Sequence, residues 1–364
     1  MSVRLVFVGK KFIYNSSLKE YVIRKVEQNF DFIHSITFFK ESDNALFLYL
    51  QSIMDAKERL IAVTTKQTFS TLGKVICTIS SDNQILKGNM LLPSECNVYE
   101  QGTYLLQYKE AQINVLHVDE MQKLPQILIQ NIATKAIIHI FEEDYENLKF
   151  SLTQIAQAYD VSIDDVNIID GWSKVNITSK KHGDISKFIG VAKSQFTSKV
   201  IASSSIIPYI IEKLSHNNKK ITFAESCTGG LLSYYFTKHN GTSNILEGSL
   251  VTYSNSIKEN WLAVEGDVLE QYGAVSAQVV HQMSEGALNV SEADYAISIS
   301  GIAGDGGGTP QKPVGTVFIG VRSKDRHKEL HLNLNGDRNY IQQQSVLYGV
   351  KMLLLLDKEL FFEI

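Results

Sequence analysis

Apolar residues in this chain fall into short runs separated by amphipathic stretches. VRLVFV at 3–8, IHSITFF at 33–39 and LIAVT at 60–64 read as strands, and 17–29 and 44–57 carry apolar positions at helical spacing. That alternation predicts a parallel α/β sheet. The shorter runs MLLP, TYLLQY and INVLHV within 90–130 predict an edge or β-rich elaboration. A second unit starts near Lys135, with IIHIF as a strand, 145–159 as a helix and WSKVNITS as a strand, a small βαβ-type module. Residues 180–220, rich in Lys and Ser, read as a linker plus a lead-in helix at 206–214. From 221 the pattern sharpens: strand ITFAE, helix 229–239, strand LEGSLVTYS, helix 256–263, helix 276–290, strands DYAISIS, VGTVFIGV and KELHLNL, and a last helix from about 337. In the 276–290 helix Ser276 can cap, and Val279, Val280, Met283, Ala287 and Leu288 recur along one side.

Composition bounds the function. The 364 residues suggest two or three domains, and 44% hydrophobic with 20% charged residues excludes a disordered or low-complexity chain. A formal charge of −4 offers no electrostatic case for nucleic acid. Cys77, Cys96 and Cys227 show neither a disulfide framework nor metal-ligand spacing, which fits a cytoplasmic protein. MSVRLVFVGKK is too short an apolar run for a signal or a membrane span, and Val350 to Leu356, interrupted by Lys351, reads as a core helix, so no membrane contact is expected. Glycine is uneven: 16 of 23 lie in 200–364.

Three glycine-rich or polar segments of that second half can carry chemistry. Ala224-Glu225-Ser226-Cys227-Thr228-Gly229-Gly230 follows a strand and opens a helix, where turn amides can face an anion or an oxyanion and Ser226 can be an exposed nucleophile. The same residues could instead be a plain N-cap and packing glycines. Tyr253-Ser254-Asn255-Ser256-Ile257-Lys258 ends a strand and starts a helix, so Lys258 falls in the first turn, where the dipole should lower its pKa and allow it to act as a neutral base, Tyr253 helping to relay the proton. The alternative is a solvated surface lysine. Ser300-Gly301-Ile302-Ala303-Gly304-Asp305-Gly306-Gly307-Gly308-Thr309 has five glycines in 301–308 and suits a loop approaching a phosphate, without matching the dinucleotide or Walker patterns. Arg338, after Gly336-Asp337, could clamp a phosphate or pair with a surface carboxylate.

In this order AESCTGG, VTYSNSIK, GAVS at 273–276, SGIAG at 300–304, KPVGTV at 312–317 and GDR at 336–338 resemble the C-terminal domain of the CinA family of competence/damage-inducible proteins, the nicotinamide mononucleotide deamidases. The resemblance covers 205–358 and implies a three-layer α/β amidohydrolase. It would hydrolyse nicotinamide mononucleotide to nicotinic acid mononucleotide and ammonia with Ser226, Lys258 and Tyr253. Thr228, Gly229, Gly230, Ser300, Gly301, Gly304 and Arg338 would hold the substrate, with no metal or other cofactor. It further implies a homodimer. Two positions depart from the pattern: Asp305 stands where a proline is usual, and Gln342 where an arginine is usual.

VRLVFVG, LIAVTT, MLLPSECNVYEQGTYLL and INVLHVDEMQKLP are similar in order to the family's molybdopterin-binding-like α/β domain, which in relatives hydrolyses ADP-ribose with a metal. Its glycine turn and aspartate pair are replaced here by Lys66-Gln67-Thr68-Phe69-Ser70-Thr71, and a Thr-Glu by Lys10-Lys11, which implies a catalytically dead domain. The expected organisation is therefore this degenerate domain at 1–130, a small α+β connecting domain and linker at 135–200, and the amidohydrolase domain at 205–364. The rival expectation is a non-enzymatic scaffold that binds partners in competence or DNA damage, and a third is residual ADP-ribose pyrophosphatase activity.

Overall fold

The computed structural model describes residues 2–30, 32–96, 98–130, 134–304 and 306–362. Asp305 lies outside them. Two compact units divide the chain, Met1–Ala133 and Thr134–Ile364.

The first unit runs β1 (Ser2–Val8), α1 (Lys10–Tyr14), α2 (Ser16–Glu27), β2 (Phe32–Phe39), α3 (Ala45–Asp55), β3 (Arg59–Thr64), α4 (Lys66–Ser80), β4 (Gln84–Lys87), β5 (Met90–Pro93), β6 (Val98–Glu100), β7 (Thr103–Tyr108) and β8 (Ala111–His117). The main sheet has the order β2-β1-β3-β8-β7-β6, parallel through β8 and antiparallel beyond it. The first strand has no polar face because both of its faces are covered. Leu5 and Phe7 pack with Val22 and Val26 of α2, while Val6 and Val8 pack with Leu50 of α3 and Leu72 of α4.

Helix α4 occupies a stretch to which the apolar pattern assigned no element. Its Val, Ile, Thr and Cys content disfavours a helix on propensity, but Phe69, Leu72 and Ile76 share a buried face against the sheet, and packing overrides propensity. The Thr65 and Thr68 side chains close a capping box at its start.

The second unit opens with β9 (Lys135–Phe141), α5 (Tyr145–Ala158), β10 (Val161–Ile169), β11 (Trp172–Ser179), α6 (Ile185–Gln195) and β12 (Val200–Ala202). These strands form an antiparallel sheet in the order β10-β11-β9-β12, so the module is not βαβ. The stretch read as a linker contains α6 and β12: Phe188 and Ala192 of α6 are buried against Ile138 and Val175, a contact that sequence spacing could not reveal. Phe141, Trp172 and Ile201 belong instead to the same core as the helices that follow.

After α7 (Ile206–His216) come β13 (Ile221–Glu225), α8 (Leu231–Thr237), β14 (Leu246–Val251), α9 (Asn255–Leu262), α10 (Gly266–Tyr272), α11 (Ala277–Ser291), β15 (Tyr295–Gly301), β16 (Thr316–Ser323), β17 (His327–Asn333), α12 (Arg338–Leu356) and α13 (Lys358–Phe361). The sheet order is β14-β13-β15-β16-β17, with parallel β14, β13 and β15 and antiparallel β16 and β17. Ile210, Phe236 and Val350 of α7, α8 and α12 meet Phe223 and Ile297 on one face; Leu262, Leu269 and Met283 of α9, α10 and α11 meet Ala224 and Ala296 on the other. This is a three-layer α/β arrangement. Its parallel strands end together at Glu225 and Val251, with Ile299 beside Glu225, the edge where open α/β sheets bind ligands. Among the described residues no helix is long and apolar enough to cross a membrane, and the three cysteines are free and buried.

Candidate active site

Ser226 leaves β13 at that edge. Its N–H donates to the Ile299 carbonyl at 2.9 Å and its own carbonyl accepts from the Gly229 N–H at 3.2 Å, so the serine is held at both ends of the turn while 8% exposed. The turn closes through positive φ at Gly229 (58°) and Gly230 (99°), a region costly for residues with a Cβ. Helix α8 therefore begins at Leu231, two residues after the glycine pair suggested.

The amides at the start of α8 are not open to an anion from outside, as the sequence suggested. Glu225, fully buried, accepts from the N–H groups of Gly230 (3.0 Å), Leu232 (3.0 Å) and Ser233 (2.9 Å), and from Ser249 Oγ at 3.1 Å. A carboxylate so surrounded is stabilised by the helix dipole and by charge-assisted hydrogen bonds. Nothing in the sequence marks it beyond one acidic residue ending an apolar strand. The N–H groups of Cys227 and Thr228, earlier in the turn, make no main-chain hydrogen bond among the described residues, and the buried Thr228 Oγ1 has no partner. Gln342, at the position that departs from the family arginine, donates from Nε2 to the Cys227 carbonyl at 2.6 Å and so props the turn from α12.

Lys258 is the fourth residue of α9, which Ser254 caps by accepting from the Ile257 N–H. Its side chain is 1% exposed, and Nζ lies 3.0 Å from Ser226 Oγ, 2.7 Å from the Thr252 carbonyl and 3.2 Å from the Tyr253 carbonyl. Burial, rather than the helix dipole, pushes the lysine down to about 8. A neutral amine has two protons and one lone pair; with the two carbonyls taking the protons, the lone pair faces the Ser226 hydroxyl. Burial also pushes the neighbouring Cys227 thiol up to about 12, which keeps it protonated and unreactive.

The remaining candidates surround this pair in different ways. Tyr253 supplies its carbonyl, and its ring is 65% exposed rather than turned toward Nζ. Ser300 is buried and donates to the Ala274 carbonyl at 2.8 Å, tying β15 to the 273–276 loop, where Ser276 caps α11 as the pattern predicts. Gly301 packs against the turn: a Cβ there would come 3.1 Å from Cys227 Sγ and 2.8 Å from Val317. At Gly304 a Cβ would fall 2.2 Å from Arg338 Nη2, so the exposed guanidinium lies across the glycine. Asp337 caps α12 and leads Arg338 into it.

Residues 204–356 match the family model of the CinA C-terminal domain. The second unit therefore carries a stretch similar to the C-terminal domain of the CinA family. It is 44% identical over 144 residues to a CinA-like protein of Thermotoga neapolitana, covering 40% of this chain and 35% of that protein. A CinA-like protein of Petrotoga mobilis is 33% identical over 229 residues, 58% of this chain and 57% of the relative. The chain thus spans about a third to just over half the length of these CinA-like relatives. Among solved structures, the competence/damage inducible protein CihA of Agrobacterium tumefaciens is similar at 34% identity and a TM-score of 0.41, over 42% of this chain and 93% of that one.

Two other places hold chemistry-bearing residues. At the carboxyl edge of the first unit, where β3 ends beside His117, a cavity of about 870 Å³ is lined by Lys66, Phe69, His117 and Lys123 among others, with no Asp or Glu among the described residues of its wall. His281 of α11 with His327 and Glu329 of β17 could hold a metal by proximity. The group is internally satisfied, however: His281 Nδ1 is 2.7 Å from Glu329 Oε1, and Arg322 Nη2 donates to His281 Nε2 at 2.6 Å, placing a guanidinium where a cation would have to sit.

Proposed function

We propose that the second unit hydrolyses the carboxamide of nicotinamide mononucleotide to nicotinic acid mononucleotide and ammonia. The observation that carries this reading is the buried Ser226–Lys258 pair, with Nζ 3.0 Å from Ser226 Oγ and its other contacts on the Thr252 and Tyr253 carbonyls. Ser226 Oγ attacks the amide carbon while its proton passes to Lys258 Nζ, the kind of serine activation that needs no histidine. The tetrahedral oxyanion meets the N–H groups of Cys227 and Thr228. The ammonium of Lys258 then protonates the departing nitrogen, ammonia leaves, and an ester to Ser226 remains. Water attacks that ester, giving its proton to Lys258; the carboxylate is released and Ser226 recovers its proton. Tyr253 enters this scheme through its carbonyl on Nζ, with its ring at the mouth. The substrate phosphate lies with Arg338 beside Gly304, and Thr228 Oγ1 is available to a polar group of the substrate. No step calls on a metal.

In this reading the first unit is not hydrolytic. Metal-assisted cleavage of ADP-ribose calls for carboxylate ligands, and the described wall of its crevice supplies lysines, a histidine and neutral polar groups instead. The decisive experiment measures ammonia release from nicotinamide mononucleotide by the whole chain and by Ser226→Ala. A drop of about 10³-fold or more, with an unchanged melting temperature, is expected. Full activity in Ser226→Ala would refute the scheme.

A further inference from the structure

A second cavity, of about 250 Å³, lies within the second unit where the small antiparallel sheet meets the start of α7 and the end of α8. The nucleophile turn sits at the other end of α8, which is about 10 Å long at 1.5 Å per residue. His139 of β9 forms part of the wall and is 5% exposed. Trp172 Nε1 donates to its Nδ1 at 3.1 Å, which leaves the ring proton on Nε2, and Nε2 is buried with no well-formed hydrogen bond, only a weak contact with the Ser203 carbonyl. A buried donor so weakly paired gains from a better-placed acceptor in the cavity. Burial pushes this histidine down to about 3, so it stays a neutral donor near neutral pH.

Helix α7, 11 residues long, points its N-terminus into the same space. Ser205 caps it without a side-chain hydrogen bond, Ile206 and Ile207 line the cavity with N–H groups that have no partner four residues back inside the helix, and Pro208 has no N–H to offer. Lys174 and Lys238 also line it, the latter 4.1 Å from the centroid of the Tyr235 ring, and no carboxylate belongs to the wall among the described residues. Positive charge, amide donors and a neutral imidazole N–H call for an anion. Trp172 and Tyr235 add aromatic surface for a flat ring. The volume, just below the roughly 300–1,000 Å³ of ordinary small-molecule sites, limits the ligand to about one ring.

We propose that this cavity binds a small single-ring aromatic anion, a carboxylate or phosphate, at a site separate from the Ser226–Lys258 pair. Trp172 and Trp261 are the two tryptophans of the chain, so Trp261→Phe, an exposed position, leaves Trp172 as the sole reporter. The full chain carrying that change is titrated with benzoate, phenyl phosphate and inorganic phosphate while Trp172 emission is followed. The expected result is a saturable change with at least one aromatic anion at lower concentration than with inorganic phosphate. Lys174→Gln and Lys238→Gln should each raise the midpoint about tenfold, the loss of one charge-assisted contact, while Ser226→Ala leaves it unchanged. No saturable change with any probe, a midpoint indifferent to both lysine variants, or one abolished by Ser226→Ala would overturn the proposal. The last outcome would move the ligand to the serine site without touching the deamidase reading.

Discussion

The carboxyl edge of the first unit and that of the second share an architecture and differ in what they bury. Both are parallel strands covered by helices on two faces, with a strand that runs through a short turn into a helix. In the first, Thr65 and Thr68 satisfy the start of α4 with neutral hydroxyls, and Lys66 beyond them is at the surface. In the second, a buried carboxylate, Glu225, holds the start of α8, and a buried lysine is pressed onto Ser226. Neutral capping makes a stable turn without burying a charge. Charged groups withdrawn from water are costly to fold and are retained where chemistry uses them.

The sharpest way to break this contrast is to remove the buried amine. Lys258→Met keeps the side chain's length without its charge, and ammonia release is expected to fall by about 10³-fold or more while the chain still folds. Activity within tenfold of the parent, measured by the same ammonia assay, would make the two edges equivalent.

The pH dependence tests the same group without mutation of the turn. The folded lysine titrates near 8 and the unfolded one near 10.5, so between these values the unfolded chain binds more protons and stability rises with pH. Wild type should therefore gain up to about 3 kcal/mol relative to Lys258→Met from pH 8 to 10.5, read by denaturant titration, with no relative change below pH 8. Deamidation should increase as pH climbs through about 8, when Nζ loses its proton.

Glu225→Gln would set an amide N–H₂ among N–H donors. A stability loss of about 2–4 kcal/mol is expected, with reduced activity as the turn loosens; the equivalent check is a shift in the urea midpoint at constant slope. Gly304→Ala acts further out, displacing Arg338, and should raise KM about tenfold with kcat and melting temperature little changed. The smallest effect belongs to the first unit, where Thr65→Ala should cost about 1 kcal/mol of stability and leave ammonia release unaltered.

Much of this was legible from residue order. Most strands of the main sheets and many of the helices around them are local patterns that periodicity exposes, whereas the pairing of Ser226 with Lys258, 32 positions apart, was implied by the resemblance to a known family. Helices α4 and α6 were not legible, because β-branched and polar residues mask them until Ile76 and Phe188 find a core. The role of Gln342 was hidden for a similar reason: it acts on a carbonyl 115 positions away. Tyr253 was legible as a neighbour of the site but not as a carbonyl that accepts from Lys258 while its ring is exposed.

By itself, then, the sequence determined which segments are strands and helices over most of the chain, and which residue types stand at the strand-to-helix turns, since these follow from hydrophobic spacing and from the backbone freedom of glycine. Only the tertiary structure decided their chemistry. Burial sets Lys258 at about 8, two carbonyls from the end of β14 orient its lone pair, and Glu225 takes amides that would otherwise have faced a ligand. Desolvation and hydrogen-bond geometry depend on what folds over a residue, and no local pattern carries that information.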